Sequence, residues 1–205
     1  DGYAPASILL ESAGSNRGQG IFQYNSGSKN SWFSGVPYST DSDDWIIAHK
    51  LETTEFNSDV AQMGNALFCV NDNGNVGIGT VSPKSLLNVT GGGANGGILT
   101  LENDSTSLIA GRYVGQIDFY SNDASSNGAG VKANITAITE NSIGSEIGLA
   151  LGTSGTGSAT AVEAIRINSS GNVGIGTTAP FTTGGNSKLT VAGILAIGAS
   201  NSDMS

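Results

Sequence analysis

An internal repeat constrains this chain more than any other feature. The octamer Asn73-Gly74-Asn75-Val76-Gly77-Ile78-Gly79-Thr80 returns 97 residues later as Ser170-Gly171-Asn172-Val173-Gly174-Ile175-Gly176-Thr177. Self-similarity of this kind marks one supersecondary unit used more than once. Each copy follows an alternating apolar stretch, Leu67-Phe68-Cys69-Val70 or Ala164-Ile165-Arg166-Ile167, and each precedes a proline, Pro83 or Pro180. A short strand signal comes next, Leu87-Asn88-Val89 or Leu189-Thr190-Val191. A looser match links Ile8-Leu9-Leu10-Glu11 and Gly20-Ile21-Phe22 to Leu99-Thr100-Leu101-Glu102 and Gly115-Gln116-Ile117. The expected organisation is a first unit over 1–84, a second over 85–180, and the start of a third over 181–205. On that reading the chain is a piece of a longer polypeptide that continues past Ser205.

The octamer carries its own physical instructions. In an extended strand Val76 and Ile78 project to one face, while Gly77 and Gly79 leave the other bare. A bare face invites close backbone approach. Asn73-Gly74 or Ser170-Gly171 suits a tight turn into the strand, and Pro83 or Pro180, lacking an N–H, is expected to end the pairing. Elsewhere the apolar period is two, as in Gln116–Tyr120, Val131–Ile138 and Ile165–Ile167, which reads as short strands. Gly, Ser, Asn and Thr supply 94 of the 205 residues, and their clusters between the strands are turn chemistry. No helix longer than a turn or two is expected. The fold class is all-β.

Leu, Ile, Val and Phe make up 23% of the chain, just above the level at which a core fails. Short strands with open edges and few large side chains are marginal alone. Association removes the difficulty. Three chains about a three-fold axis would place Val76, Ile78, Val173 and Ile175 in a shared core, with Gly77, Gly79, Gly174 and Gly176 allowing close packing. The expected assembly is therefore a homotrimer.

Charge removes several functions. Only 12% of residues are charged and the net charge is −9, with the eight basic residues scattered, so the electrostatic drive for nucleic-acid binding is missing. A single cysteine, Cys69, forbids an intrachain disulfide, and a single histidine, His49, removes multi-histidine metal sites. No apolar run approaches the roughly 20 residues of a bilayer span. No cofactor and no membrane insertion are expected.

The string Gly-Asn-Val-Gly-Ile-Gly-Thr, followed by proline and the strands Leu87-Asn88-Val89-Thr90-Gly91 and Leu189-Thr190-Val191-Ala192-Gly193, resembles the repeat of bacteriophage tail fibre and tailspike proteins. The resemblance covers both units and the start of the third. It implies an elongated homotrimeric fibre of intertwined β-prism or β-helix-like repeats. It also implies a structural and host-attachment role in the virion tail, extracellular after release. The implied partners are other virion tail proteins and a glycan or protein receptor on the bacterial surface. In that family the repeat commonly lies upstream of a self-cleaving intramolecular chaperone domain, whose cleavage site has no counterpart among these residues. The resemblance therefore transfers no catalytic residue.

Uneven chemistry is confined to the stretch 35–64, where Asp41, Asp43, Asp44, Glu52, Glu55 and Asp59 lie among Trp45, His49 and Lys50. Aromatic faces and paired carboxylates suit a sugar-binding or sugar-cleaving surface; a solvated loop on a β scaffold is the plainer alternative. Glycoside hydrolysis needs two carboxyls about 5–10 Å apart in a cleft, and nothing in the sequence marks a cleft, so the chain is read as a non-enzyme. Asp41-Ser42-Asp43-Asp44 offers oxygen ligands to calcium. Asn71-Asp72-Asn73-Gly74-Asn75 lacks the closing acid of a calcium loop, and its counterpart Asn168–Asn172 has no acid at all, so both are read as turns. Trp32, Tyr38, Asp43, Asp44 and Trp45 are the candidate receptor or glycan contacts, weighed against packing roles for the aromatics. His49 is expected on the surface and Cys69 in the interior. The four Asn-x-Ser/Thr sequons carry no assigned function. Two alternatives stand beside the fibre: a tailspike that degrades polysaccharide, and a cellular adhesin, extracellular filament or capsid-attached fibre built from the same repeat.

Overall fold

The computed structural model describes residues 8–12, 18–38, 43–51, 58–123, 125, 128–155, 158–180 and 188–194. The chain is all-β, as expected from its period of two. It divides into two compact units, Asp1–Leu99 and Thr100–Ser205. Each holds one six-stranded sheet. Helix is limited, among the described residues, to short 3-10 turns at Ser58–Ala61, Met63–Asn65 and Gly93–Asn95, and no helix there is long and apolar enough to cross a membrane.

The first sheet runs in sequence order through β1 (Gln19–Asn25), β2 (Asn30–Val36), β3 (Trp45–Leu51), β4 (Ala66–Val70), β5 (Val76–Ile78) and β6 (Leu87–Val89). The second repeats that order with β7 (Tyr113–Ser121), β8 (Gly130–Thr139), β9 (Ile147–Thr153), β10 (Val162–Ile167), β11 (Val173–Ile175) and β12 (Leu189–Val191). Every neighbouring pair is antiparallel except the last, β5 with β6 and β11 with β12, which are parallel. A parallel pair normally needs a crossover of a dozen or more residues. Here the strands are three residues long, roughly 10 Å at 3.3 Å per residue; eight residues, 79–86, bring the chain back from β5 to β6, and thirteen, 176–188, from β11 to β12.

The repeated octamer builds that return. Asn71 receives the Gly74 N–H on its carbonyl at 2.8 Å, and its side-chain Oδ1 accepts the N–H groups of Asn73 and Asn75 at 3.1 and 2.9 Å. Asn168 does the same for Gly171, Ser170 and Asn172. Both stretches, read from the sequence as turns, are thus hydrogen-bonded turns into β5 and β11. Beyond the strand, Gly79 and Gly176 take φ of 73° and 71°, left-handed values that glycine reaches without a side-chain penalty. β5 ends at Ile78, five residues before Pro83, so this left-handed glycine stops the strand; the proline, buried in the return loop, does not.

Gly77 supplies the close approach expected of it, but within its own chain: a Cβ there would lie 2.2 Å from the Thr80 carbonyl oxygen, and one at Gly174 would lie 2.7 Å from that of Thr177. The strand before the octamer also carries the same irregularity twice. Pairing skips Leu67 between β3 and β4, and Ala164 between β9 and β10. The carbonyls of these two bulged residues accept the N–H groups of Gly79 and Gly176, each at 2.9 Å.

The strand that follows Pro83 hydrogen-bonds back to the first sheet: Val76 N–H reaches Leu86 O and Thr90 N–H reaches Ile78 O, both at 2.8 Å. β12 closes the second sheet in the same way, with Val173 N–H on Lys188 O and Ala192 N–H on Ile175 O. Each Leu-x-Val strand therefore belongs to the sheet it follows. The compact units divide after Leu99, and strand pairing in the first reaches past Pro83 to Val89. Of 181–205, the segments 181–187 and 195–205 lie outside the described residues.

Candidate functional site

The two faces of each sheet differ sharply, and that difference defines the candidate surface. In the first sheet one face packs inward: Phe33, Ile46, Ala48 and Cys69 are buried under Val60 and Ala61 of the 3-10 turn, with Met63, Ala66 and Val81 at the margin. Alternation sends the neighbours of these residues to the other face. Cross-strand pairs there run Trp45↔Val70, Ile47↔Phe68, Phe68↔Ile78, Val70↔Val76, Val76↔Leu87 and Ile78↔Val89. The result is an apolar stripe across β3 to β6. Trp45 meets Phe68 edge to face at 6.1 Å. The stripe stays open: Ile78 is 44% exposed and Leu87 55%.

The second sheet presents a wider stripe of the same kind. Its pairs are Ile117↔Ile135, Ile135↔Leu151, Leu149↔Ile167, Ile165↔Ile175, Val173↔Leu189 and Ile175↔Val191. Ile175 is 41% exposed and Phe119 54%. The four residues singled out from the octamers, Val76, Ile78, Val173 and Ile175, all lie on these outward stripes. Gly77 and Gly174 lie on the opposite faces and are buried, and Gly79 and Gly176 serve the return loops.

The inward face of the second sheet is polar. Arg166, 7% exposed, donates from Nε to Glu163 Oε1 at 2.8 Å and from Nη1 to Glu140 Oε1 at 3.3 Å. These contacts raise the guanidinium's pKa, with the Glu163 bond foremost and desolvation opposing it. Glu140 also accepts the Ser169 N–H at 2.8 Å, tying the end of β8 to the turn before β11. An open depression of about 450 Å³ beside Arg166 and Glu140 is floored by Asn168 and Pro180.

Trp32, Tyr38, Asp43, Asp44 and Trp45 are not drawn into one hollow. Trp32 stands outward near one end of β2, stacked on His49 of β3 with ring centroids 4.4 Å apart and planes inclined by 34°. Trp45 lies on the same face at the start of β3, four residues from His49 and so roughly 13 Å along the strand. Tyr38 is two residues past β2, its N–H bound to Ala61 O at 2.6 Å. Asp43 is exposed, and Asp44 Oδ1 accepts the Asp72 N–H at 3.1 Å, steadying the turn before β5. Asp41, Ser42, Glu52 and Glu55 lie outside the described residues. Among the described residues no three His, Cys, Asp or Glu side chains gather as a metal site.

Two neighbours of Trp32 escaped the sequence reading. His49, expected simply on the surface, is partly covered by the indole and bonds through Nε2 to Asn30 Oδ1 at 3.2 Å. Gln23, the β1 partner of Trp32, joins it, Tyr24, Asn25, Ser28 and Asn30 around an open hollow of about 310 Å³. The β2–β3 register sets this grouping, and no local motif announces it. Cys69 is fully buried, as expected, and burial, helped by the Asp44 carboxylate, pushes its thiol pKa up. No protein-family model and no curated protein matches this sequence.

Proposed function

We propose that this chain is a segment of a homotrimeric bacteriophage tail fibre, a structural and host-attachment component of the virion without catalytic activity of its own. The observation that carries the reading is the outward apolar stripe, which recurs in both units. Soluble monomers rarely leave contiguous apolar patches of this extent open, and larger ones mark association surfaces. Three chains that turn the stripes toward a common axis bury them together, and completing the burial of a half-exposed Ile or Leu contributes about 1 kcal/mol per residue. The octamers supply the fibre's repeating element and the resemblance to tail fibre repeats supplies its setting. Other virion proteins and a bacterial surface receptor are then its partners.

Light scattering of the native protein tests this reading, with and without unheated detergent. The expected mass is three times the 20.6 kDa chain, surviving detergent until the sample is boiled. Ile175→Asp sets a carboxylate at the shared core three times over, so the expected outcome is loss of the trimer. A folded monomer in the unmodified protein would overturn the proposal.

A further inference from the structure

The hollow beside Trp32 is a specialised feature of the first unit. Its register triplet is Gln23↔Trp32↔His49. The corresponding triplet of the second sheet is Phe119↔Ala133↔Thr153. Where the second unit continues its apolar stripe into β7, the first interrupts it with an amide, an indole and an imidazole. The hollow thus lies beyond the end of the stripe that runs over β3 to β6.

The side chains around it are held in place. Asn25 Oδ1 accepts the N–H groups of Gly27 and Ser28 at 3.0 and 3.1 Å, which fixes the β1–β2 turn. Asn30 is anchored at both ends of its amide: Nδ2 donates to Ser28 Oγ at 3.0 Å, and Oδ1 bonds to His49. His49 packs against the indole of Trp32, and the indole lines the hollow. Gln23 brings an amide whose side-chain atoms hold no hydrogen bond to a described residue.

We propose that this hollow binds one neutral pyranose ring of a surface glycan. None of the described lining residues carries a charge, which disfavours an anion, a cation or an acidic sugar. Their amides and hydroxyls offer both donors and acceptors, which suit the hydroxyls of a sugar better than an apolar guest. The indole offers a flat apolar surface for the C–H face of the ring. A volume of about 310 Å³ stands at the small end of ligand sites, the size for one residue of a chain that continues into solvent. The proposal rests on the host-attachment reading for its biological meaning, and it names the chemistry of the receptor.

Saturation-transfer NMR on the full chain tests it, with the methyl glycosides of glucose, galactose, mannose, rhamnose and N-acetylglucosamine as probes. Transfer to the ring protons of at least one probe is expected. Trp32→Ala should abolish it, Gln23→Ala should weaken binding about tenfold, and Trp32→Phe should retain part. Lys188→Ala, in the second unit, should leave binding unchanged. Silence from all five probes with the unmodified chain, or binding that survives Trp32→Ala, would overturn the site. Circular dichroism on each variant guards against unfolding, and light scattering on the same samples separates the two readings. A trimer that binds no probe sinks the hollow alone, and a monomer that binds through Trp32 sinks the trimer alone.

Discussion

The two sheets share strand order and the bulge before the octamer, yet they bury different things. In the first, the inward face is apolar: Phe33, Ile46, Ala48 and Cys69 pack beneath Val60 and Ala61. In the second, the registers put Asn134 where the first has Phe33, Thr136 where it has Gly35, and Arg166 where it has Cys69. Thr136 donates to Gln116 at 3.0 Å and Arg166 holds two carboxylates. The outward faces agree better, since both are apolar from the fourth strand of the sheet to the sixth. A sheet that must satisfy only itself hides its aliphatic side chains, whereas the second unit hides its polar ones and shows its aliphatic ones. The common element is therefore the outward apolar face, and the inward face is free to be solved by either chemistry.

Exchanging the two inward solutions is the harshest way to break the comparison. Cys69→Arg puts a guanidinium against Phe33 and Ile46, where Asp44 is the charge that acts among the described residues, instead of between two carboxylates. An incompletely paired buried charge costs several kcal/mol, enough to unfold a marginal unit. The expected outcome is loss of hydrogen-exchange protection throughout β2 to β4, with β8 to β10 still protected. Retained protection in the first sheet would mean that its interior is as polar-tolerant as the second.

Removing the charge from the other side comes next in size. Arg166→Ala strands Glu140 and Glu163 against one another, at about 3 kcal/mol, the lower end for a broken buried pair because all three groups keep some solvent contact. Arg166→Met combined with Glu140→Gln and Glu163→Gln removes every charge and should return stability to within about 1 kcal/mol of the original. Urea unfolding of the two variants side by side checks the pair. Equal losses would show that the triad acts through packing, with its charges incidental.

A smaller and more discriminating effect lies in the octamer itself. Gly79 and Gly176 have the same left-handed φ, so alanine at either carries a backbone penalty of about 1–2 kcal/mol. Their surroundings differ: a Cβ at Gly79 would sit 2.2 Å from the Thr90 carbonyl oxygen, whereas at Gly176 the nearest atom, Ala192 O, is 3.3 Å away. Gly79→Ala must also push β6 aside, and should cost about 1 kcal/mol more than Gly176→Ala. Exchange rates of the β5–β6 and β11–β12 amides measure the two separately, and equal effects would place the whole penalty in φ.

The legible parts of this molecule are those governed by neighbours in sequence. Alternation marked Gln116–Tyr120, Val131–Ile138 and Ile165–Ile167, all of which lie within strands, and the Asn-Gly and Ser-Gly pairs marked turns that the structure forms. Phe33 and Trp32 point to opposite faces, as alternation requires. Pairings across many residues were not legible. The return of Leu87–Val89 to β5 depends on a left-handed glycine and a loop, where the proline had been taken as the stop. The Arg166–Glu140 pair spans 26 residues, and the stacking of Trp32 on His49 follows only once β2 and β3 are in register. The candidate aromatics were therefore found as a list, and only the fold separates Trp32 in its hollow from Trp45 on the stripe and Tyr38 beyond both.

The gentlest separation of the two units is by pH. Burial, aided by Asp44, raises the Cys69 thiol pKa in the folded chain, while the unfolded chain keeps an ordinary thiol that ionises near pH 8.5. Below that pH both states hold the proton and the first unit has its full stability. Above it the unfolded state releases its proton first, so stability falls as pH climbs toward the folded-state value. Arg166 occupies the equivalent place in the second unit and stays charged throughout, and that unit has no cysteine to titrate. Urea midpoints followed from pH 7 to 10.5 should therefore fall more steeply for the unmodified first unit than for Cys69→Ala, with the second unit indifferent to the substitution. Parallel pH profiles with and without the thiol would show that Cys69 meets water readily, and that the apolar interior is looser than its packing against Phe33 and Ile46 requires.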